Sequence, residues 1–286
     1  MLATALFAGP PGRPQAPEVR LRWTLPSPLL DENSGMVLAR GKLIFINDSK
    51  NEARVYVWDT LQGQLVHSCA ILKVANVDWE DLAADDRYLY IGDFGNNAGV
   101  RQNLSIVRVE LDCVFKKEAC PGAYIRFECT DQKEFYARPY QHNYDFEALA
   151  VWDDSLLVFS KNWLDGQTRL YVLPKQPGTY RVGPRVALPS RGLVTGATYH
   201  EDLKLLALCG YQPRDMAPEI FLLVWPDFSL QSLKRPAFRR LSITPPQASQ
   251  IESLVALDGH RFWMARERSG KKKTPVGPAV FEVLIP

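Results

Sequence analysis

The sequence lacks the patterns that mark several large classes of protein. No apolar run approaches the ~20 residues that a transmembrane helix needs, and helical periodicity is absent along the chain. The chain has 34 Lys and Arg residues and 32 Asp and Glu residues, so its net charge is only +2. Such a charge creates no positive field that would attract a nucleic acid or an anionic membrane surface. These absences predict a globular chain with little α-helix, no membrane span and no nucleic-acid partner.

Motifs of common catalytic and metal centres are also missing. The chain has no Gly-x-Ser-x-Gly nucleophile elbow and no glycine-rich phosphate loop. Its five cysteines include no Cys-x-x-Cys pair, which argues against a structural zinc site. The spacing of Cys113 and Cys120 suits a disulfide at the end of a hairpin, with Cys129 as a competing partner for either. Cys69 and Cys209 lie in apolar, strand-like runs where buried thiols are common.

Five copies of one short pattern are present instead. In each copy, an oxygen-bearing side chain stands two places before a small or apolar residue. The copies are Asn33-Ser34-Gly35-Met36-Val37, Asp78-Trp79-Glu80-Asp81-Leu82-Ala83, Asp145-Phe146-Glu147-Ala148-Leu149-Ala150, Val194-Thr195-Gly196-Ala197-Thr198 and Gln250-Ile251-Glu252-Ser253-Leu254-Val255. We call the shared position the key position; it holds Ser34, Glu80, Glu147, Thr195 and Glu252.

Each key position is followed by a hairpin turn and by further β-rich runs. The second unit is typical: Asp85-Asp86-Arg87 forms the turn, Tyr88-Leu89-Tyr90-Ile91 the next strand, and Leu104–Val109 the third. A weaker fourth run follows in four of the five units. Successive key positions are 46, 67, 48 and 57 residues apart. Repeats of this length, each built of four antiparallel strands, are the signature of a β-propeller. We therefore predict an all-β fold, a five-bladed β-propeller.

The fifth unit ends at Pro286 after three strands, and the run Val19–Trp23 can supply the fourth. Such an N-terminal strand would close the last blade and remove two exposed strand edges. The predicted organisation is a leader or disordered N-terminus over residues 1–17 and a single propeller domain over residues 18–286. A signal remnant and a disordered leader both remain open for the N-terminus. A six-bladed propeller, with a degenerate blade between the second and third copies, is the main alternative.

The key positions predict a cation site. In a propeller, residues that begin the innermost strands share one mouth of the central channel. Three glutamates that meet there repel one another unless protons or a cation offset their charge. Carboxylates and hydroxyls suit Ca²⁺, and the absence of His and Cys from these positions argues against zinc, copper and iron. We therefore predict a Ca²⁺ ion ligated by Ser34, Glu80, Glu147, Thr195 and Glu252.

Two alternatives accompany this prediction. The key positions could instead carry a network of hydrogen bonds between blades that recurs through duplication. A second set of residues, two places before the key positions, offers outer ligands through water or simply turn-forming side chains. That second set is Glu32, Asp78, Asp145, Leu193 and Gln250.

Polar residues at the ends of the second strands predict a ligand-binding crown. Each second strand runs back toward the mouth, so its end should overhang the ring. Such a crown suits a small anionic ligand held on the metal. The candidate ligand-binding residues are Asn47, Asn96, Asn97, Lys161, Tyr211 and Arg266. Asp48 and Asp93 are the candidate catalytic residues, because activation of water needs a carboxylate close to the metal.

The order Ser, Glu, Glu, hydroxyl, Glu over five blades resembles the calcium-activated nucleotidase (apyrase) family. The strings from Ser34 to Asp48, from Glu80 to Gly92 and from Glu147 to Lys161 are similar as well. The resemblance implies a five-bladed propeller whose key residues hold one Ca²⁺ in the central channel, directly or through water. It also implies that Asp48 occupies the place of an acidic residue near the substrate.

The chain departs from that family in the parts that recognise the nucleotide. Asn96-Asn97 stands where the family has a Lys-Glu-Trp string, and Lys161-Asn162-Trp163 where it has a pair of arginines. The chain also resembles bacterial extracytoplasmic propeller proteins of unassigned function.

Two functions follow from these observations. The first is a calcium-binding propeller that binds a small anionic ligand or a protein at its crown. The second is a Ca²⁺-dependent phosphohydrolase in which an aspartate activates water toward a metal-bound phosphate. We expect a monomer that is periplasmic or secreted, with a cytoplasmic location as the alternative.

Overall fold

Antiparallel β-sheets make up most of the chain. The structure, a computed structural model, describes residues 16–213, 219–234, 239–244, 250–269 and 276–286. Within these ranges the strands form five sheets arranged as a five-bladed β-propeller, which confirms the predicted fold class. Of the predicted leader, residues 1–15 lie outside the described residues. In the part of the chain that is described, no helix has the length and apolar character to cross a bilayer.

The blades follow one another along the chain. The first strand is β1 (Glu18–Thr24), and blade 1 contains β2 (Asn33–Ala39), β3 (Lys42–Asn47), β4 (Arg54–Asp59) and β5 (Gln64–Leu72). Blade 2 contains β6 (Trp79–Ala84), β7 (Tyr88–Asp93), β8 (Ser105–Glu110) and β10 (Ala123–Cys129). Between β8 and β10 lie helix α1 (Leu111–Lys116) and β9 (Ala119–Pro121), a strand of the blade 1 sheet. Blade 3 contains β11 (Asp145–Trp152), β12 (Ser155–Lys161), β13 (Thr168–Pro174) and β15 (Val186–Leu188), and β14 (Gly178–Val182), between β13 and β15, belongs to the blade 2 sheet. Blade 4 contains β16 (Leu193–His200), β17 (Leu205–Tyr211), β18 (Ile220–Trp225), a 3₁₀ turn (Ser232–Lys234) and β19 (Arg239–Ile243). Blade 5 contains β20 (Ile251–Ala256), β21 (Arg261–Arg266) and β22 (Ala279–Leu284).

The N-terminal strand completes blade 5, as predicted. Strand β1 pairs antiparallel with β22, with Val19 opposite Val283. Trp23 is the second-last residue of this strand, and its ring lies edge-on to Trp263 of blade 5, with ring centroids 5.0 Å apart. The Trp23 ring centroid also lies 6.3 Å from that of Trp58 in blade 1. Strand pairing and aromatic packing therefore both fasten the two ends of the chain together.

The long segment between the second and third copies covers sheet edges and forms no sixth blade. Strand β9 pairs in parallel with β5 and extends blade 1, while β14 pairs in parallel with β10 and extends blade 2. A disulfide between Cys113 and Cys120 joins α1 to β9, which settles the pairing that the sequence left open, and Cys129 is a buried free thiol. The six-bladed alternative is therefore wrong.

Apolar side chains are packed in five layers, one between each pair of neighbouring blades. Val55 of blade 1 packs in the same layer as Leu89 of blade 2, and Phe146 of blade 3 packs with Phe127 of blade 2. The last layer contains Trp263 of blade 5 and Trp58 of blade 1, which closes the ring. Since each sheet packs against two neighbours, both of its faces are buried, and its strands read as near-continuous apolar runs.

Candidate cation site at the channel mouth

All five key residues lie at β-bulges near the start of the innermost strands. In each case the pairing with the second strand slips by one residue at the key position. The slips fall between Asn33 and Gly35, Trp79 and Asp81, Phe146 and Ala148, Val194 and Gly196, and Ile251 and Ser253. A bulge leaves one residue outside the ladder and redirects its side chain. The repeated sequence pattern therefore corresponds to a repeated backbone feature at one end of the channel.

The pairing register also brings the ends of the second strands to this mouth. Asn47, Asp93, Lys161, Tyr211 and Arg266 each pair with one of the first residues of the neighbouring inner strand. The crown candidates from these strand ends thus share the mouth with the key residues.

Three carboxylates from blades 1 and 2 converge there. One oxygen from each of Asp48, Asp78 and Glu80 lies within 4.8 Å of the other two. Glu80 is only 7% exposed, and its carboxylate accepts no hydrogen bond from any residue that the structure describes. Gly95 lies against the group: a Cβ atom there would stand 2.0 Å from Glu80 Oε1. The cluster is thus enclosed on one side by backbone that has no room for a side chain.

The electrostatics of this cluster are unfavourable for three negative charges. Burial raises the pKa of Glu80 well above its usual value, and the charges of Glu147, Asp48 and Asp78 add to the effect. Burial and Asp48 likewise raise the pKa of Asp78 to about 7, although Arg101 opposes the shift. Without a cation, the cluster therefore holds protons in a pH range where carboxylates are normally ionised.

Glu147 in blade 3 has a cation of its own. Lys161 Nζ lies 3.1 Å from Glu147 Oε1, and both side chains are almost fully buried. The same ammonium group stands 5.2 Å from the ring centre of Trp163 and 5.5 Å from that of Tyr211. Burial lowers the pKa of Lys161, but the carboxylates and Tyr211 around it outweigh burial and keep the pKa above its usual value. Lys161 therefore acts as a fixed positive charge at the mouth.

The remaining key residues contact their neighbours in different ways. The hydroxyl of Ser34 donates to the Trp79 carbonyl at 2.7 Å, and that of Thr195 donates to the Ile251 carbonyl at 2.5 Å. Both bonds run to the inner strand of the next blade, as the hydrogen-bond alternative anticipated. Glu252 Oε1 accepts a bond from Gln250 Nε2 at 3.3 Å, and burial raises the pKa of Glu252 to about 7.

Blade 5 contributes a carboxylate that the sequence interpretation missed. Burial, followed by the charges of Glu252 and Glu32, raises the pKa of Glu267 to about 8. Its neighbour Arg266, predicted for the crown, instead donates from Nε to the Gly277 carbonyl at 3.0 Å and stands over the Phe281 ring.

In blade 2, the catalytic candidate Asp93 and the crown candidates Asn96 and Asn97 contact neighbouring loop residues. Arg101 Nη2 lies 2.9 Å from Asp93 Oδ1, and the backbone N–H of Asp78 donates to the same oxygen. The backbone N–H of Asn96 donates to Asp145 Oδ1 at 2.7 Å, and the Asn97 carbonyl contacts the His142 ring at 3.0 Å.

Two further candidates lie beside these groups. The Asn47 side chain donates to the Leu29 carbonyl at 2.9 Å, while its buried Oδ1 accepts no bond from the described residues. The Tyr211 hydroxyl accepts a bond from Gln250 Nε2, and burial raises its pKa.

Directly after the key position of blade 2, Asp81 links three blades. This fully buried carboxylate accepts backbone N–H bonds from Leu82 and Leu149, both at 2.8 Å, and from Ala197 at 3.3 Å. Burial raises its pKa, and the three N–H donors oppose that shift. The sequence alone singles out Asp81, because the other four copies carry Gly, Ala or Ser at the place directly after the key position.

Replacing Asp81 with alanine is expected to lower the free energy of unfolding by at least about 3 kcal/mol, because three buried N–H groups lose their acceptor. Urea unfolding followed by tryptophan fluorescence measures the change. Asp258→Ala is the matched control, since Asp258 accepts backbone bonds in a solvent-exposed turn, and we expect a much smaller loss. Equal losses would show that Asp81 does not link the blades.

The arrangement as a whole suits a hard cation. The converging atoms are carboxylate oxygens, and no His or Cys side chain joins the group among the described residues. A Ca²⁺ or similar ion would offset the mutual repulsion and supply the partner that Glu80 lacks. The donor chemistry thus fits the cation predicted from the sequence, with Asp48 and Asp78 beside Glu80.

Comparisons with known proteins support the propeller fold. No family model and no curated protein sequence matches the chain. Similar solved structures include the PQQ-bound aldose sugar dehydrogenase of Streptomyces coelicolor, with 14% identity and a TM-score of 0.54 over 96% of this chain and 100% of that one. Another is the glutaminyl cyclase of Myxococcus xanthus, with 12% identity and a TM-score of 0.51 over 95% of this chain and 97% of that one. At such identities the likeness shows the propeller fold alone, and the comparisons give no support to the nucleotidase family.

Proposed function

We propose that this chain is a calcium-binding propeller whose ion lies at the channel mouth on the side of blades 1 and 2. Asp48, Asp78 and Glu80 are the ligands that the geometry favours. The observation that carries the proposal is Glu80, a carboxylate 7% exposed, with two others close by and no hydrogen-bond donor among the described residues. Burying such a group is costly unless a cation accompanies it.

The other half of the mouth serves a ligand in this proposal. Lys161 and Tyr211 lie side by side in blades 3 and 4, with the Trp163 ring next to the Lys161 ammonium group. A small molecule with an oxyanion group could contact both the bound cation and Lys161. The remaining key residues would then influence the ion through bridging water or through their own electrostatic field. They are Ser34, Glu147, Thr195 and Glu252.

Calcium titration of chelated protein tests the cation site. After treatment with EDTA, Ca²⁺ at about 100 times its Kd is expected to stabilise the fold by about 2.7 kcal/mol. That corresponds to a rise in Tm of about 5 to 10 °C. Elemental analysis should find one ion per chain. An unchanged Tm together with no bound metal would refute the site.

Calcium affinity is expected to rise with pH. The raised pKa values of Asp78 and Glu252, each about 7, mean that the metal-free mouth carries protons at pH 6 that the ion must displace. For a single such group, Kd should fall about tenfold between pH 6 and pH 8. Calorimetry in buffers of different ionisation enthalpy measures the protons released. A Kd that is independent of pH would contradict the assignment.

These groups, together with Glu267, also determine how the stability of the metal-free protein changes with pH. Because their pKa values are higher in the folded than in the unfolded chain, the stability they contribute is complete below about pH 4 and lost as pH rises through about 7 to 8. Thermal melts of EDTA-treated protein should therefore show a falling Tm between pH 5 and pH 8, and Ca²⁺ should remove most of this fall.

A Ca²⁺-dependent phosphohydrolase is the second candidate function. The half-exposed Asp48 favours it, because a water molecule on the cation would lie within reach of that carboxylate. Asp93 is the weaker candidate for the base, since its carboxylate is paired with Arg101. Phosphate release from nucleotides and sugar phosphates, measured with Ca²⁺ and with EDTA, tests this function. Calcium-loaded protein that releases no phosphate from any of them would refute it.

We further propose a periplasmic or secreted location. The Cys113–Cys120 disulfide supports it, because disulfides persist in oxidising compartments. Fractionation of the producing cells with an antibody against the chain tests the location.

A further inference from the structure

Three sulfur atoms meet at the outer edge of blade 1. The Cys113–Cys120 disulfide joins α1 to β9, and β9 pairs with β5, where Cys120 lies opposite Ile71. The free thiol of Cys69 on β5 lies 3.3 Å from the Sγ atom of Cys120. A thiol and a disulfide sulfur are thus already in contact in the folded protein.

We propose that Cys69, Cys113 and Cys120 form a thiol–disulfide exchange unit. The Cys69 thiolate forms a bond to Cys120 Sγ, the Cys113–Cys120 bond breaks, and Cys113 leaves as a thiolate that takes up the proton Cys69 released. One disulfide and one thiol are present before and after the step, so it requires neither an oxidant nor a reductant. The inference is independent of the proposed cation site.

The exchange would change what the disulfide holds together. The original link spans 7 residues within one segment, whereas a Cys69–Cys120 link spans 51 and ties β5 of blade 1 to the segment that leaves blade 2. A longer closed loop constrains the unfolded chain more strongly, so the exchanged form should resist unfolding better.

The exchange would also move the free thiol toward solvent. Cys69 and Cys120 are fully buried, while Cys113 is half-buried. The released Cys113 is therefore the thiol that an external disulfide could reach. The unit would convert a buried thiol into a more accessible one without any net oxidation or reduction of the protein.

Burial makes the step slow at neutral pH. The pKa of the Cys69 thiol is raised by burial, and Arg54 opposes the shift only in part. Because the thiolate is the attacking species, exchange should accelerate as pH rises from 7 to 9.

Peptide mapping under non-reducing conditions tests the proposal. In wild-type protein held at pH 8.5 with a trace of reduced glutathione, mass spectrometry should find peptides linked through Cys69 and Cys120 beside those linked through Cys113 and Cys120. Cys113→Ser should contain the Cys69–Cys120 disulfide after incubation with oxidised glutathione. Cys69→Ser is the matched variant, and it should contain the Cys113–Cys120 disulfide alone.

The buried thiols of Cys129 and Cys209 serve as internal controls, and thermal melts confirm that each variant is folded. Links that involve Cys129 or Cys209 as often as Cys69 would mean scrambling in the unfolded chain and would overturn the proposal. Wild-type protein that keeps only the Cys113–Cys120 link would overturn it as well, even if Cys113→Ser failed to fold.

Discussion

Replacing Glu80 with glutamine is expected to lower the affinity for Ca²⁺ about 100-fold, or about 2.7 kcal/mol of binding free energy. The substitution keeps the volume of the side chain and one oxygen, but it removes the negative charge that lies within 4.8 Å of Asp48 and Asp78. Isothermal titration calorimetry on EDTA-treated protein measures the change.

The same substitution is expected to stabilise the metal-free protein. In the absence of a cation, Glu80 is a buried carboxylate without a hydrogen-bond donor among the described residues, beside two others. A neutral amide removes the repulsion and can donate to Asp48 or Asp78. Opposite effects on metal-free stability and on calcium affinity are the signature of a residue kept for binding at the expense of stability.

Glu252→Gln is the control that separates a local site from a ring. Glu252 is also a key residue at a bulge, but its carboxylate already accepts a bond from Gln250. If the ion lies on the side of blades 1 and 2, this variant should bind Ca²⁺ only a few-fold more weakly, because it loses a charge that does not contact the ion directly. If Glu252→Gln weakens binding as much as Glu80→Gln does, the ion instead lies on the channel axis and the ring ligates it as a whole.

The sequence predicted the fold because the inner strands repeat a backbone feature. A β-bulge needs an extra residue at a fixed place, so the key position recurs even where the blades differ in length. The closing strand was predictable as well, since a three-stranded last unit leaves an open edge that Val19–Trp23 can cover. Strands β9 and β14 were not, because short strands that pair in parallel with a preceding blade have no local signal.

The candidate site was less predictable, since spacing identifies positions but not partners. Five equivalent positions suggested five equivalent ligands. In the structure, Ser34 and Thr195 donate to carbonyls of neighbouring strands, and Lys161 pairs with Glu147. Each of these contacts comes from another strand or blade, so the pattern within one unit does not contain it. Asp78, assigned to the outer set, lies in the cluster itself.

Replacing Lys161 with methionine is expected to lower the free energy of unfolding by about 3 to 5 kcal/mol, the cost of leaving one member of a buried ion pair without its partner. Lys161 is 6% and Glu147 3% exposed, so water cannot solvate the glutamate that remains. Urea unfolding of EDTA-treated protein measures the loss. Lys42→Met is the control: Lys42 pairs with Asp59 at 2.7 Å, but 37% of its side chain is exposed to solvent, and we expect a smaller change.

A double variant shows whether the loss comes from the stranded charge. Replacing both Glu147 and Lys161 by methionine removes the ion pair and leaves apolar groups of similar size, which is close to neutral at many buried pairs. The double variant should therefore recover most of the stability that Lys161→Met loses. If it is as unstable as the single variant, the loss comes from the contacts of the Lys161 ammonium group with the Trp163 and Tyr211 rings, and the pair with Glu147 contributes little.

The calcium affinity of Lys161→Met is expected to show that the Lys161–Glu147 pair influences the cluster around Glu80. Lys161→Met removes a positive charge from the mouth, and Glu147, whose pKa burial already raises and whose charge acts on Glu80, then ionises only when a cation is present. Calcium should then bind more tightly than to wild-type protein and restore part of the lost stability, because the ion partly replaces the missing ammonium group. Lys161 would thus do for Glu147 what the bound ion does for Glu80. Unchanged calcium affinity in Lys161→Met would show that the two halves act independently.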